Sequence, residues 1–237
     1  SQVAQFKSLL YQTLQTATTT ANGDPKPTTS QVGLGVRNSS INSIFTQGSL
    51  FSSNSDTAYA IEGDGYFAIQ GSDGNTYYTR NGDFTWATNG RNGMILTNQD
   101  GLPVLSSTGR TITLNANYVT SKITITKDGT ICYPDAQNNP QSLGITIGMY
   151  QFNNPGGLQR KGDTLWAATA ASGTVMNEAT NRNVTKSRMV QGYLEGSNVQ
   201  VADEMVNLIV AQRAYEMNSK AITTTDEMMQ TANNLKR

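Results

Sequence analysis

Seven Asn-Gly or Asp-Gly dipeptides divide the middle of the sequence into short segments. Between residues 64 and 101 they recur every 8 to 11 residues, when Asn89-Gly90 and Asn92-Gly93 are counted as one turn. Such dipeptides favour the tight turns of hairpins, because Gly, Asn and Asp tolerate positive φ angles. The segments between them are rich in β-branched and aromatic residues, so the pattern predicts an antiparallel β meander. The predicted strands are 57–62, 65–70, 75–80, 83–87, 93–97, 111–114, 123–127, 130–133, 143–152 and 164–169.

The absence of histidine excludes several kinds of active site. Without it the chain cannot form a Ser-His-Asp triad, a histidine general base or a histidine-ligated metal site. The single cysteine, Cys132, cannot form a disulfide within the chain, and its place in Ile131-Cys132-Tyr133 predicts a core strand residue. We therefore expect no catalytic residues, no metal and no organic cofactor.

Charge balance and hydropathy together exclude two kinds of partner, nucleic acids and the membrane interior. The 17 Lys and Arg residues equal the 17 Asp and Glu residues, so the chain offers no basic surface for a nucleic-acid backbone. No segment reaches the roughly 18 consecutive apolar residues of a membrane-spanning helix. The sequence therefore predicts neither nucleic-acid binding nor membrane insertion.

The two ends of the chain differ from the middle. Val3, Phe6, Leu10 and Leu14 form an apolar stripe at spacings of 3, 4 and 4, which predicts a short helix over residues 1–15. Residues 16–30 hold no large apolar side chain and contain Asn-Gly, Asp-Pro and Lys-Pro, which predicts a flexible or extended connector. The predicted parts are a helical remnant with its connector (1–30), a β-rich domain (31–190) and a carboxy-terminal region with a long helix (191–237).

The last part of the sequence predicts one long helix. Residues 197–237 contain neither Gly nor Pro, and Ser197 with Gln200 can form a capping box at the start. Asp203 and Glu204 near the start and Lys236 and Arg237 at the end suit the helix dipole. A second capping box at Thr224 and Glu227 would break the helix, and the sequence leaves both possibilities open.

Two apolar stripes run along this predicted helix. Because successive residues differ by about 100° around a helix axis, the stripes face clearly different directions. The helix therefore needs partners on two sides, which indicates a bundle or self-assembly. The residues that we predict to pack between subunits are Val201, Leu208, Tyr215, Ile222 and Met229 in the first stripe, and Val206, Val210, Met217, Met228 and Leu235 in the second.

Two features allow other functions. The carboxylates Glu62, Asp64 and Asp83 could serve acid and base catalysis, but each lies at a glycine-flanked turn, where Asp is common for backbone reasons. Seven aromatic residues between 59 and 86 could bind sugars, although aromatic cross-strand pairs are also ordinary sheet stabilisers. These aromatic residues are Tyr59, Tyr66, Phe67, Tyr77, Tyr78, Phe84 and Trp86.

Several longer stretches resemble one family of bacterial proteins. The strongest likeness is in Gln191-Gly192-Tyr193-Leu194-Glu195-Gly196-Ser197-Asn198-Val199, then Glu204-Met205-Val206-Asn207, then Gln212-Arg213-Ala214-Tyr215-Glu216-Met217-Asn218-Ser219-Lys220. Upstream, the likeness continues in Gln31-Val32-Gly33-Leu34-Gly35-Val36, Phe45-Thr46-Gln47-Gly48, Ala60-Ile61-Glu62-Gly63-Asp64-Gly65-Tyr66-Phe67, Tyr78-Thr79-Arg80-Asn81-Gly82-Asp83-Phe84 and Phe152-Asn153-Asn154-Pro155-Gly156-Gly157-Leu158. Together these stretches resemble the bacterial flagellar rod and hook proteins, and among them most of all the distal rod subunits.

The resemblance implies a fold and a mechanical function. It implies an outer antiparallel β domain inserted between amino- and carboxy-terminal helical segments that form a coiled-coil-like inner tube. Subunits of this kind assemble into a straight hollow tube of the basal body, which spans the periplasm and transmits motor torque to the hook. The implied partners are further copies in the helical tube, proximal rod proteins, the hook protein, the surrounding bushing rings and the rod cap.

The start of the sequence carries further expectations. It begins at Ser1 without methionine, and its first residues lack the charged and apolar regions of a signal peptide. The resemblance implies export through the flagellar type III apparatus, and also an additional amino-terminal helix with no counterpart here. We therefore expect a truncated chain.

The alternative functions are a secreted carbohydrate-binding or adhesin module and, more remotely, a carboxylate-dependent hydrolase.

Overall fold

The computed structural model describes residues 2–15, 30–90, 93–162 and 164–235. Apart from Ser30, the predicted connector at 16–30 lies outside the described residues, as do Lys236 and Arg237 at the predicted helix end. The strands are β1 (Gln2–Ser8), β2 (Tyr11–Gln15), β3 (Ser30–Gly33), β4 (Val36–Ser43), β5 (Leu50–Ser52), β6 (Tyr59–Glu62), β7 (Tyr66–Gln70), β8 (Thr76–Thr79), β9 (Phe84–Thr88), β10 (Gly93–Asn98), β11 (Thr113–Asn115), β12 (Thr124–Ile125), β13 (Thr130–Pro134), β14 (Pro140–Thr146), β15 (Met149–Gln151), β16 (Gln159–Arg160), β17 (Trp166–Ala167), β18 (Met176–Asn177), β19 (Arg188–Gln191) and β20 (Tyr193–Glu195). The helices among the described residues are three short 3-10 turns, at Thr120–Lys122, Pro155–Gly157 and Ala170–Ser172, and one α-helix, α1 (Val201–Asn234).

The chain forms two compact units, Ser1–Ser197 and Asn198–Arg237. The first is built of antiparallel sheets and the second contains α1, which confirms the prediction of a mainly β fold with a carboxy-terminal helix. The boundary lies beyond the predicted one at 190, because β20 pairs with β5 and so belongs to the β unit.

Four of the predicted turn glycines have the positive φ angles that their dipeptides favour. Gly74, Gly90, Gly101 and Gly129 have φ between +68° and +80°. Three of these turns connect neighbouring strands directly: β7 to β8, β9 to β10 and β12 to β13. The turn dipeptides therefore identified these hairpins correctly.

A six-stranded sheet forms the centre of the β unit, in the order β16-β17-β8-β7-β15-β18. Its strand β7 is buried on both faces. Phe67 and Ile69 contribute to a large core cluster, while Tyr66 and Ala68 contribute to a second cluster. Since successive side chains of a strand point to opposite faces, β7 separates the two cores.

The large core is completed by two three-stranded sheets and the β6–β19 pair. One sheet has the order β11-β10-β9 and the other β12-β13-β14. Cys132 is buried in β13, which confirms its interpretation as a core strand residue. The strand predicted over 143–152 is two strands, β14 and β15, which belong to different sheets. The chain changes sheet at Gly148, where a Cβ atom would lie 2.8 Å from the Ser106 carbonyl oxygen.

The prediction of an amino-terminal helix is wrong for the described residues. Gln2–Ser8 forms β1, which pairs antiparallel with β4, and Tyr11–Gln15 forms β2, which pairs with β3. A helix of about 15 residues is marginal in water without a packing partner. Pairing with β4 instead provides partners for the backbone groups of the segment. Val3 and Phe6, three residues apart, consequently lie on opposite faces of a strand.

Gly82 is required for a different reason from the one its dipeptide indicates. It is not among the glycines with positive φ, so the expectation of a left-handed backbone there is wrong. Its carbonyl oxygen accepts a hydrogen bond from the Tyr59 amide at 2.9 Å, and a Cβ atom would overlap the Tyr59 carbonyl oxygen. The glycine is needed for this close approach of two backbone segments.

We expect Gly82→Val to destabilise the β unit by about 1–3 kcal/mol, since the backbone must move apart to admit the side chain. Urea unfolding measures the loss. Gly90→Asn is the control, because Gly90 has open space around its Cβ position and Asn tolerates its φ of +68°. An equal loss in both variants would contradict the steric explanation.

Buried tyrosines make the β unit sensitive to alkaline pH. Burial raises the pKa of Tyr66 to about 12, although the nearby Arg80 partly offsets the shift. Burial, and secondarily Tyr150, raise the pKa of Tyr78 to about 12. Unfolded tyrosine ionises near pH 10, so between about pH 10 and pH 12 the unfolded state binds fewer protons and stability falls as pH rises.

The expected result is a urea midpoint that declines over this pH interval. Tyr78→Phe removes one of these buried tyrosines, and its midpoint is expected to decline less steeply. A midpoint that is independent of pH up to 12, or an identical slope in Tyr78→Phe, would contradict the assignment.

Candidate assembly surface

Helix α1 runs without interruption for 34 residues, about 50 Å at 1.5 Å per residue. It begins at Val201 with Gln200 as its N-cap residue and without a side-chain cap, so the predicted capping box, with Ser197 as the N-cap residue, does not form at the start of α1. Asp203 and Glu204 lie in the first turn, where the helix dipole favours acidic side chains. An exposed ion pair between Arg213 Nη1 and Glu216 Oε2, 3.0 Å apart and one turn from each other, also stabilises the helix.

The threonine-rich segment does not break the helix. Thr225 Oγ1 donates a hydrogen bond to the Ala221 carbonyl oxygen at 2.8 Å, and Thr223 Oγ1 donates to the Lys220 carbonyl oxygen at 2.9 Å. Hydroxyls that bond back to the preceding turn let threonine remain within a helix. The question that the sequence left open at Thr224 is therefore resolved in favour of one continuous helix.

All ten residues predicted for subunit packing are exposed, and none of the described residues of α1 is buried. The exposed fractions of the ten range from 58% for Val206 to 82% for Leu235. Large apolar side chains at this density along one element form a surface that monomeric soluble proteins rarely leave open to water.

Two further apolar residues of α1 were missed by the stripe pattern. Met205 and Ile209 are 59% and 57% exposed. They lie about 40° and 80° around the axis from Val201, between the two stripes. The signal for them was the run Met205-Val206 and Leu208-Ile209-Val210, in which apolar side chains spread over most of the circumference. A helix that is apolar on most sides is typical of the interior of an assembly.

The ribbon formed by β1 and β4 carries a second exposed apolar surface. The register places Ala4 opposite Ile41 and Ser8 opposite Val36 on one face, which also holds Phe6. Phe6, Val36 and Ile41 are each more than 60% exposed. An isolated two-stranded ribbon is marginally stable in water, so this face gains from packing.

The aromatic residues between 59 and 86 do not form a sugar-binding platform. Five of them are buried in the two cores, with exposed fractions of at most 6%: Tyr59, Tyr66, Phe67, Tyr78 and Phe84. Tyr77 and Trp86 are only partly buried. Several of the buried rings pack edge to face, for example Phe67 against Phe84 at 5.0 Å and Tyr78 against Phe152 at 4.8 Å between ring centroids. Their role is therefore core packing.

The three candidate carboxylates lie at strand ends and turns. Glu62 ends β6 in register with Arg188, Asp64 follows in the next turn, and Asp83 accepts a hydrogen bond from Gln99. In the described parts of the chain, no group of three or more His, Cys, Asp or Glu side chains could hold a metal ion. No helix there combines the length and the apolar character that a membrane crossing requires.

Four of the stretches that carry the family resemblance meet at one point of the β unit. Arg80 Nε donates a hydrogen bond to Glu195 Oε2 at 2.7 Å, and Arg80 Nη1 donates to the carbonyl oxygens of Gly63 and Gly65 at 2.8 and 3.1 Å. The Gly48 amide donates to Glu195 Oε1 at 2.9 Å. Sequence reasoning assigned no role to Arg80 or Glu195, because their partners are distant along the chain.

Two parts of the chain match models of one protein family. Residues 190–235 match the family model described as flagellar basal body rod FlgEFG protein C-terminal. Residues 60–133 match the model described as flagellar hook protein FlgE/F/G D1 domain. The first match covers α1 and the strand β20 that precedes it, and the second covers much of the large core.

Several similar proteins share one name. The flagellar basal-body rod protein FlgG of Borreliella burgdorferi is 41% identical over 99% of this chain and 85% of its own length. The proteins of that name from Caulobacter vibrioides and Bacillus subtilis are 41% and 34% identical, over 99% and 98% of this chain and 86% and 85% of their own lengths. Identity at this level over nearly the whole chain shows that the protein belongs to the flagellar basal-body rod family.

Proposed function

We propose that this chain is a structural subunit of the flagellar distal rod, which assembles into a straight hollow tube and transmits motor torque to the hook. The observation that carries the proposal is α1, which exposes large apolar side chains on most sides. A sugar-binding module has no use for such a helix. The names of the similar proteins, which are basal-body rod proteins, support the same function and a location in the flagellar basal body.

The two stripes of α1 are the proposed contacts between subunits. Burying a side chain such as Leu or Ile against a neighbouring helix contributes about 1.5–3 kcal/mol. Ten such side chains in each subunit provide enough apolar surface to oppose the loss of freedom on assembly. Before assembly the isolated helix has no such contacts, so we expect it to fray in solution and to order in the tube.

In this role the chain contacts other proteins of the basal body and catalyses no reaction. The rod and hook family is structural, and the partners implied by the sequence resemblance are proximal rod proteins, the hook protein, the surrounding rings and the rod cap. The amino-terminal helix implied by that resemblance would pair with α1 in a coiled-coil-like inner tube. Stoichiometric metal, or hydrolysis of peptidoglycan that Glu62→Ala abolishes, would contradict a purely structural role.

Electron microscopy of the full-length gene product under polymerising conditions tests the proposal. The expected result is straight hollow tubes. A preparation that remains monomeric at all concentrations but binds polysaccharide would contradict it and favour the adhesin alternative.

The β-rich unit is proposed to fold without α1. Both core clusters draw on residues within 45–189, so a fragment of residues 31–197 is expected to unfold in one cooperative transition. A fragment that ends at the predicted boundary, 190, lacks Glu195 and leaves Arg80 without its counter-ion. We expect it to be less stable by about 3–5 kcal/mol. The absence of a cooperative transition in the longer fragment would contradict the domain division.

A further inference from the structure

We propose that Arg80 and Glu195 form a clamp that holds together the two chain segments leading into and out of the core of the β unit, so that both move with that core. The incoming segment is residues 48–52 and the outgoing segment is residues 193–197. The proposal rests on the mechanical function proposed above, because it concerns how force on the ends of the chain reaches the β unit.

The contact between the two segments is small by itself. β5 and β20 form a two-stranded sheet with three residue pairs. Half of its six residues are exposed, among them Phe51 at 61% and Tyr193 at 40%. A two-stranded pair of this size is not stable without further support.

The direction of pairing exposes one end of this small sheet to force. Leu50, the first residue of β5, is opposite Glu195, the last residue of β20. The incoming and outgoing connections therefore leave from the same end of the sheet. Pulling them apart would first load this end, where the Gly196 amide donates to the Ser49 carbonyl oxygen and Leu50 pairs with Glu195, and would then open the remaining pairs one by one.

The Arg80–Glu195 ion pair lies at the end of the sheet from which both connections leave. Its side chains are only 16% and 11% exposed, so the attraction between the charges is weakly screened. One carboxylate oxygen of Glu195 accepts from Arg80 and the other accepts from the Gly48 amide. Glu195 thus joins the outgoing segment, the incoming segment and Arg80 in a single contact.

Arg80 connects this contact to the core. Besides Glu195, its guanidinium donates to the backbone carbonyl oxygens of Gly63 and Gly65, and more weakly to that of Ile61 at 3.4 Å. It also lies over the ring of buried Tyr66, 5.7 Å from the centroid. Lysine cannot make this set of contacts, because it lacks the planar fork of donors.

Two glycines let the segments approach closely enough for the clamp. A Cβ atom on Gly48 would overlap the Gly196 carbonyl oxygen, and one on Gly196 would overlap the Phe51 ring. The Gly196 amide donates to the Ser49 carbonyl oxygen at 2.8 Å. The close fit and the ion pair therefore act at the same end of the sheet.

Amide hydrogen exchange on the whole chain tests the clamp, with Glu195→Gln as the variant. Glutamine keeps the shape and one acceptor oxygen but removes the charge. We expect exchange at Gly48 and Gly196 to accelerate at least tenfold, while core amides such as Leu96 and Val104 keep their protection. Glu216→Gln removes an exposed ion pair on α1 and is the matched control, expected to leave Gly48 and Gly196 unchanged.

The second arm is functional and uses cells that carry the same variants. Glu195→Gln and Arg80→Lys are expected to assemble rods but to lose swimming in viscous medium, where the load is high, with little loss in dilute medium. Equal acceleration at core amides, or unchanged exchange at Gly48 and Gly196, would overturn the clamp. Local acceleration with normal swimming under load would overturn its mechanical role. Because exchange is measured on unassembled protein, its outcome does not depend on tube formation.

Discussion

Replacing Ile222 by aspartate in the full-length protein is expected to abolish tube formation and motility, while the melting temperature of the β unit stays the same. Ile222 belongs to the first apolar stripe of α1 and is 71% exposed in the isolated chain. An aspartate there costs little in the monomer but would be buried without a counter-ion between subunits. That penalty is on the order of several kcal/mol for each contact, and a tube repeats it at every subunit.

The experiment combines electron microscopy, a motility assay and thermal unfolding. Leu208→Asp, in the same stripe, is expected to behave like Ile222→Asp. Asn218→Asp is the control, because it adds the same charge at a polar position of the same helix and is expected to be milder. If Ile222→Asp instead unfolds the β unit while the surviving molecules still assemble, the stripe belongs to an intramolecular core.

Replacing Glu178 by alanine is expected to destabilise the β unit by about 3–5 kcal/mol. Glu178 is 3% exposed and accepts three hydrogen bonds, each 2.8 Å long: from the Ser187 amide, from Ser187 Oγ and from Gln151 Nε2. Ser187 Oγ in turn accepts from the Gly65 amide at 2.9 Å. Without the carboxylate, three buried donors lose an acceptor at about 1–3 kcal/mol each, and rearrangement recovers part of the loss.

Urea unfolding of the whole chain measures this effect, followed by a signal from the β unit. Glu178→Gln keeps one acceptor oxygen but presents a donor where an acceptor is needed, so its loss is expected to be smaller than that of Glu178→Ala. Glu62→Ala, at an exposed strand end, is expected to stay within about 0.5 kcal/mol of the parent protein. A Glu178→Ala variant as stable as Glu62→Ala would show that the network contributes nothing.

Much of the candidate assembly surface was predictable from the sequence, because α1 depends on local chemistry. The absence of Gly and Pro favours a helix, the acidic first turn favours its start, and the repeat of apolar residues defines its exposed stripes. None of these signals needs a tertiary contact. The structure added Met205 and Ile209, and it also showed that threonine hydroxyls bond within the helix at Thr225 instead of capping a new one.

The clamp and the carboxylate network could not be read from the sequence. Glu195 lies 115 residues from Arg80, and Gln151 lies 27 residues from Glu178. A residue pattern indicates which side chains share a face, but it does not indicate which distant backbone segment approaches that face. Buried polar contacts of this kind depend on the whole arrangement of sheets.

The sequence by itself determined three hairpins and most strands of the core, the long helix and the family, because each follows from neighbouring residues or from a linear pattern. Only the tertiary structure decided that Gln2–Ser8 is a strand, because its helical spacing was outweighed by pairing with β4. It also decided that Gly82 serves a close backbone approach and not a positive φ angle. Long-range pairing settles what local preference leaves undecided, because a linear pattern does not specify which distant segment approaches a given stretch of the chain.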